Sequence, residues 1–274
     1  MITQGKPVVR SLGQIVSNVL DGFGDMTLFS LEVLRGVMRG AGRDTFLMVG
    51  QFVGVSSVPV VAITGLFIGM VLAVQAFGQF AVLGLKTQLS SIINISVVRE
   101  LGPVLAATML AGRVGGAIAA ELASMRITDQ VDALACLGVN PVQYLSAPRF
   151  LACVLLIPLL TIFANFMGVM GGALICIHVY HVDAYHYWQN TNGQVTNWDL
   201  ITGLIKPVCF GAAIALISCY EGLHSRPGAT GVGQAANRAF VVSFMVVLIL
   251  DFFLALLLSR LRLHLWPDHP DRFV

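Results

Sequence analysis

Charged residues are scarce in this chain. Only 11% of its 274 residues are Asp, Glu, Lys or Arg, where an ordinary globular domain carries roughly a quarter. The net charge of +2 is too small to point to a nucleic-acid partner. Cysteine is sparse and irregular: Cys136, Cys153, Cys176, Cys209 and Cys219 include no Cys-x-x-Cys pair. They read as small buried hydrophobes rather than as a metal or redox set. The first thirty residues lack a compact apolar core behind a basic start, so no secretory signal is expected. The glycine-rich stretch "HSRPGATGVGQAANRAF" has no Gly-Lys-Ser/Thr and follows no strand, so the chain has no visible means of hydrolysing ATP.

What is abundant is apolar length. No charged residue occurs from Thr45 to Leu85, or from Phe150 to Ile177, and about 20 apolar residues suffice to cross a bilayer core. The fold class is therefore an all-α, multi-pass membrane protein. Five apolar runs fall at roughly 47–80, 101–123, 150–178, 200–221 and 239–259. The first is too long for one upright span and contains Pro59, which predicts a tilted or kinked helix. Ahead of it, Leu28, Leu31, Leu34 and Met38 share one helical face while Glu32, Arg35 and Arg39 lie on the other. That is the pattern of a helix lying in the membrane surface. The chain divides into an N-terminal interfacial segment (1–44), a transmembrane domain (45–260) and a C-terminal tail (261–274). Counting Lys and Arg outside the spans gives nine on the N-terminal side and four on the other, favouring a cytosolic N-terminus and an outer C-terminus. Glycine pairs such as Gly65/Gly69, Gly112/Gly116 and Gly168/Gly172 fit a tightly packed bundle.

Ionisable residues inside spans are costly and are functional candidates by default. Arg99 and Glu100 head the second span, Arg113 lies near its middle, Lys206 lies two turns into the fourth, and Asp251 lies near the middle of the fifth. Glu121 and Glu221 sit at inner ends. Arg113 and Asp251 lie roughly 15 Å and 18 Å from the inner ends of their apolar runs, at 1.5 Å per residue. A structural ion pair between them is expected, with a proton relay through Asp251 as the rival reading. Arg99, Glu100 and Lys206 gather toward the outer half. Two cations and an anion there suit a phosphate-bearing headgroup, or they snorkel at helix ends. His178, His181, Asp183 and His186 lie in a Tyr- and Trp-rich outer loop. Their spacing matches no metal site, and an interfacial aromatic belt explains the segment better.

Between the second and third spans lies "MRITDQVDALACLGVNP", with Ile127, Val131, Leu134 and Leu137 in one stripe. Gly138 and Pro141 supply a stop. A helix over 126–138 is too short to cross a membrane, so it lies on the cytosolic face. It is either a plain connector or a docking helix, with Arg126, Asp129, Gln130 and Asp132 directed away from the stripe. An ion-coupled secondary transporter using Arg113 and Asp251 would show inverted repeats, and none is visible. An intramembrane enzyme would need a nucleophile or metal cluster, and no candidate is present.

The blocks "RELGPVLAATMLAGRVGGAIAAELASMRITDQVDAL", "LIKPVCFGAAIALISCYEGL" and "GATGVGQAANRAFVVS" occur in that order. Together they resemble the MlaE/YrbE family of permease subunits of ABC systems that move phospholipids between bacterial membranes. The resemblance spans about residues 45–260. It departs at Ala235-Ala236-Asn237, where family members often read Ala-Thr-Thr. It implies a homodimer, a cytosolic ABC ATPase subunit that uses ATP, and a periplasmic MCE-domain (MlaD-like) protein, with no cofactor in this chain. It also implies a bacterial inner-membrane location. By the same resemblance Arg99, Glu100 and Lys206 lie near the lipid cavity, and the segment from Glu121 to Leu134, with Arg126, Asp129, Gln130 and Asp132, matches the helix that docks the ATPase. An MCE-type permease for another lipid, such as a sterol or fatty acid, is the nearest alternative.

Overall fold

The computed structural model describes residues 6–39, 43–82, 89–194 and 196–265. Lys86, Arg272 and most of the tail lie outside the described residues. Among the described residues all regular structure is helical. Five helices are long and apolar enough to cross a membrane: span 1 (Thr45–Phe80), span 2 (Ser90–Ile127), span 3 (Val142–Val179), span 4 (Trp198–Leu223) and span 5 (Ala229–Arg262). The protein is an all-α, multi-pass membrane protein. The expected spans are all present, but the second begins eleven residues earlier than its apolar run and the fifth ten residues earlier. Hydropathy marks only the greasy part of a helix, and "SSIINISVVRE" and "ATGVGQAANR" continue the helical ladder through polar sequence.

The first helix, α1 (Lys6–Met38), carries two apolar faces. Phe29 and Val33 are buried against the bundle, whereas Leu28, Leu31, Leu34 and Met38 remain exposed. The exposed stripe is the one the periodicity predicts for a membrane surface. The polar face is tied down: Asn140 Nδ2 donates to Glu32 at 2.5 Å, and Arg39 Nη1 donates to Gln143 Oε1 at 3.1 Å.

Span 1 is broken, as Pro59 predicts. It comprises α2 (Arg43–Val53), a 3-10 turn at Val55–Ser57 and α3 (Val58–Val82). Proline lacks an N–H and fits the first turn of the restarted helix. Span 2 runs through α4 (Leu89–Ser96), α5 (Gly102–Leu110) and α6 (Gly116–Ile127), joined by π-helical turns at Val97–Leu101 and Ala111–Gly115. A short helix, α7 (Gln130–Cys136), follows. Span 3 is a π turn at Val142–Ser146, then α8 (Ala147–Leu174), then a π turn at Ile175–Val179. Next come α9 (Ala184–Gln194), α10 (Asn197–Leu223) and α11 (Ala229–Leu265).

The tightest packing is between α3 and α8. A Cβ placed on Gly69 would lie 1.8 Å from the Gly168 carbonyl oxygen, and one on Gly65 would lie 2.4 Å from that of Ala164. Without a driving force from water between helices, such close backbone approach is what holds spans together. The helix α9 is pinned to α4. Ser91 Oγ donates to the Asn190 carbonyl, Asn94 Nδ2 donates to Thr191 Oγ1, and Tyr187 donates to Asn94 Oδ1. Burial pushes the Tyr187 phenol above its usual pKa, keeping it a neutral donor.

Candidate functional site

The site begins with a proline. Pro103 has no N–H to offer the Arg99 carbonyl four residues back, and its ring crowds that position. The ladder widens instead: Gly102 N–H bonds to Val97 O, and Val97–Leu101 forms one π turn. Such turns re-aim the side chains they carry. Here those side chains are Arg99 and Glu100. The displaced Val98 carbonyl accepts from Asn165 Nδ2 of α8 at 3.4 Å. It also lies against α10 at a position where only glycine fits, since a Cβ on Gly203 would come within 2.7 Å of it.

Five charged side chains from three spans meet around this turn. Lys206 Nζ donates to Glu100 Oε2 and lies 3.0 Å from Asp251 Oδ1. Arg99 Nε lies 3.7 Å from Glu100 Oε1, and Arg99 Nη1 lies 3.9 Å from Asp199 Oδ1. Lys206 is fully enclosed, whereas the side chains of Arg99, Glu100 and Asp251 are 26%, 41% and 23% exposed. The three residues expected to act together, Arg99, Glu100 and Lys206, are thus brought together. Lys206 is the hub, and Arg99 and Glu100 form the accessible rim. A buried ammonium is tolerable only because two carboxylates surround it.

Asp199 is a member that the sequence reading passed over. It stands at the third position of α10 and forms a capping box with Thr196, whose backbone N–H it accepts at 3.0 Å. Its other oxygen faces Arg99. The Thr-x-x-Asp spacing signals that helix start, but "TNWD" closes a polar stretch in which one more carboxylate does not stand out. Nothing in the sequence singles out Asn165, which reads as one polar residue in an apolar run.

The expected Arg113–Asp251 pair does not form. Asp251 is engaged by Lys206, and among the described residues Arg113 makes no ion pair. The reason is depth. Gly112 packs against the Phe240 ring and Gly116 against the Ala236 carbonyl, so Arg113 lies level with the first third of α11. Asp251 is about 16 Å further along at 1.5 Å per residue. Measuring from the apolar edge instead of the helix end, ten residues earlier, created the false match.

The expected docking residues cluster around α7, with their own internal partners. Glu121 accepts from Arg149 Nη2 at 2.8 Å, and Arg126 Nη1 donates to Asp132 at 2.8 Å. Arg149 is itself buried, with Nη1 donating to the Leu145 carbonyl, so it is no surface cation. Asp129 opens α7 with a left-handed backbone, φ 57°, a conformation Asp tolerates better than most residues. Asp129 and Gln130 are exposed. Val131 packs on the bundle as expected, but Leu137 lies beyond the end of α7 and is exposed. In the His-rich loop His186 Nε2 lies 3.8 Å from Asp183, and among the described residues no three potential metal ligands converge.

Known proteins frame this architecture. A family model described as "Permease MlaE" matches residues 46–257. A probable ABC transporter permease protein of Rickettsia typhi is 41% identical over 254 residues, covering 92% of this chain and 98% of the relative. The intermembrane phospholipid transport system permease protein MlaE of Haemophilus influenzae is 36% identical over 236 residues, covering 79% of this chain and 90% of the relative. A chloroplast protein of Arabidopsis thaliana, trigalactosyldiacylglycerol 1, is 35% identical over 225 residues, covering 82% of this chain and 63% of the relative. With a family model covering most of its length and relatives aligned almost end to end, the chain belongs to the MlaE permease family.

Proposed function

We propose that this chain is the membrane-spanning subunit of an ABC transporter that moves phospholipids between the inner and outer bacterial membranes, in the service of outer-membrane lipid homeostasis. The observation that carries the proposal is the match, over 79% of this chain, to a relative named for intermembrane phospholipid transport. The ionic cluster of spans 2, 4 and 5 supports it independently. An uncharged sterol would leave the accessible guanidinium of Arg99 unanswered, whereas a phosphate diester can accept from it. Guanidinium is well matched to phosphate oxygens, and Arg99 is the accessible guanidinium of the cluster. Lys206 contributes by holding Glu100 and Asp251 in place around it.

In this reading the chain works as a two-fold homodimer in the inner membrane, because closed two-fold symmetry is the commonest way for such half-transporters to enclose a path. The N-terminus lies in the cytosol and the C-terminus in the periplasm. ATP is hydrolysed by a separate cytosolic subunit that meets Glu121, Arg126, Asp129, Gln130 and Asp132, and a periplasmic MCE-domain (MlaD-like) protein receives the lipid. No observation favours ion-coupled transport through Arg113 and Asp251, since those side chains do not meet.

The experiment is co-expression with a candidate ATPase and MCE protein from the same source, reconstitution in proteoliposomes, and measurement of ATP-dependent phospholipid transfer. A photocrosslinker at position 99 should capture phospholipid. Transfer that is independent of ATP, or undiminished in Arg99→Glu with no lipid captured, would overturn the proposal.

A further inference from the structure

The charge count of the cluster goes further than phosphate recognition. Two cations, Arg99 and Lys206, face three carboxylates, Glu100, Asp199 and Asp251. Formally the site holds one negative charge in excess. Arg113, the next cation along span 2, is about 20 Å away along the helix axis. A site built only to attract an anion would not carry that balance.

The exposed rim is also patterned. Lys206 is enclosed and satisfied, so it presents no charge to a ligand. Arg99 is accessible, and its two ionic contacts at 3.7 and 3.9 Å are too long for hydrogen bonds, leaving its N–H donors available. Glu100 and Asp251 are the accessible carboxylates. Asp251 Oδ1 is itself buried beside the lysine, so the acceptors left for a ligand are the carboxylate oxygens that Lys206 does not engage. Beside one donor-rich cation, therefore, stand two acceptor groups with spare capacity.

We infer that this site selects a zwitterionic headgroup, one that carries an ammonium next to its phosphate, over a purely anionic one. The inference rests on the lipid-transport reading above and specifies its substrate. Phosphate meets Arg99, and the ammonium meets Glu100 and Asp251. A headgroup with phosphate alone meets the same arginine but leaves the carboxylates unanswered and repelling. Asp199 sets the balance from behind: buried at the head of α10, it offsets part of the charge of Arg99.

The test uses the complete transporter in proteoliposomes. Donor vesicles contain equal fractions of phosphatidylethanolamine, phosphatidylcholine and phosphatidylglycerol, so that all three experience one surface potential, and initial transfer rates are measured together. The two ammonium-bearing lipids should outrun phosphatidylglycerol by on the order of fivefold, the equivalent of roughly 1 kcal/mol for a partly exposed charge pair. Asp251→Asn and Asp199→Asn, which keep shape and remove charge, should each shrink that ratio. Equal rates for the three lipids, or a ratio unchanged in both variants, would overturn the inference while leaving lipid transport standing. Failure to move any of the three would overturn the transport reading itself. If one variant does not assemble, the other and the wild-type ratio still decide.

Discussion

Lys206 Nζ lies 3.0 Å from Asp251 Oδ1, and this contact joins the fourth span to the fifth. Glu100 of the second span takes the other side of the same ammonium. Each carboxylate therefore backs up the other. Removing one leaves Lys206 a partner, and removing both strands a fully enclosed cation. Glu100→Gln and Asp251→Asn should each lower thermal stability modestly, and the double variant should lose about 1–3 kcal/mol more than the sum. Thermal unfolding of the purified protein in detergent measures this, and strictly additive losses would show that the two carboxylates do not share the lysine.

Arg113 and Asp251 should behave in the opposite way. They are separated along α11 by about three turns, share no partner, and should give losses that add within roughly 0.5 kcal/mol. A double-mutant cycle of Arg113→Leu and Asp251→Leu in the same assay decides it. Partial recovery in the double variant would restore the direct pair.

The π turn at Val97–Leu101 gives a third expectation. Gly203→Ala places a methyl group within 2.7 Å of the Val98 carbonyl, and backbone, unlike a flexible side-chain tip, cannot swing away. Overpacking of this kind costs roughly 1–3 kcal/mol. Asn165→Leu leaves that carbonyl without its donor, at a cost of roughly 1–3 kcal/mol. Both should also reduce lipid capture by a crosslinker at position 99, because the turn aims that side chain. Lowered stability with undiminished capture would separate the turn from the site.

Gly69→Ala is expected to be among the most damaging single methyls at the described glycines. Its Cβ would lie 1.8 Å from the Gly168 carbonyl oxygen, which forces α3 away from α8 along their whole contact. Yield in the membrane fraction should collapse. Gly78→Ala, on the same helix with nothing within 4 Å of the added carbon, should express normally and serves as the control.

Hydropathy revealed the five spans because a bilayer demands long apolar runs, and Pro59 revealed the break in the first. Helix ends were less legible. Gly231 and Gly233 read as loop, yet both lie inside α11, which starts directly after Gly228 with φ 96°. That ten-residue error moved Asp251 to the wrong depth and gave it the wrong partner. The cluster itself was half legible: charge in an apolar run flagged Arg99, Glu100, Lys206 and Asp251 one at a time. Which of them touch depends on helix rotation, and the π turn resets rotation through Pro103. Asp199 was hidden by its polar surroundings, and Asn165 carried no signal because its role is to receive one displaced carbonyl.

The sharing of one lysine among three spans also bears on how the protein is made. An ionised residue at membrane depth costs an inserting helix roughly 2.5–3.5 kcal/mol. Span 2 brings in Arg99 and Glu100, and span 4 adds Lys206, while the carboxylate of Asp251 arrives only with span 5. During synthesis Lys206 therefore enters the bilayer with Glu100 as its one carboxylate partner. The fifth span brings the second carboxylate to that enclosed ammonium, so a product that stops short of Asp251 holds Lys206 by Glu100 alone and lacks the contact that ties span 4 to span 5.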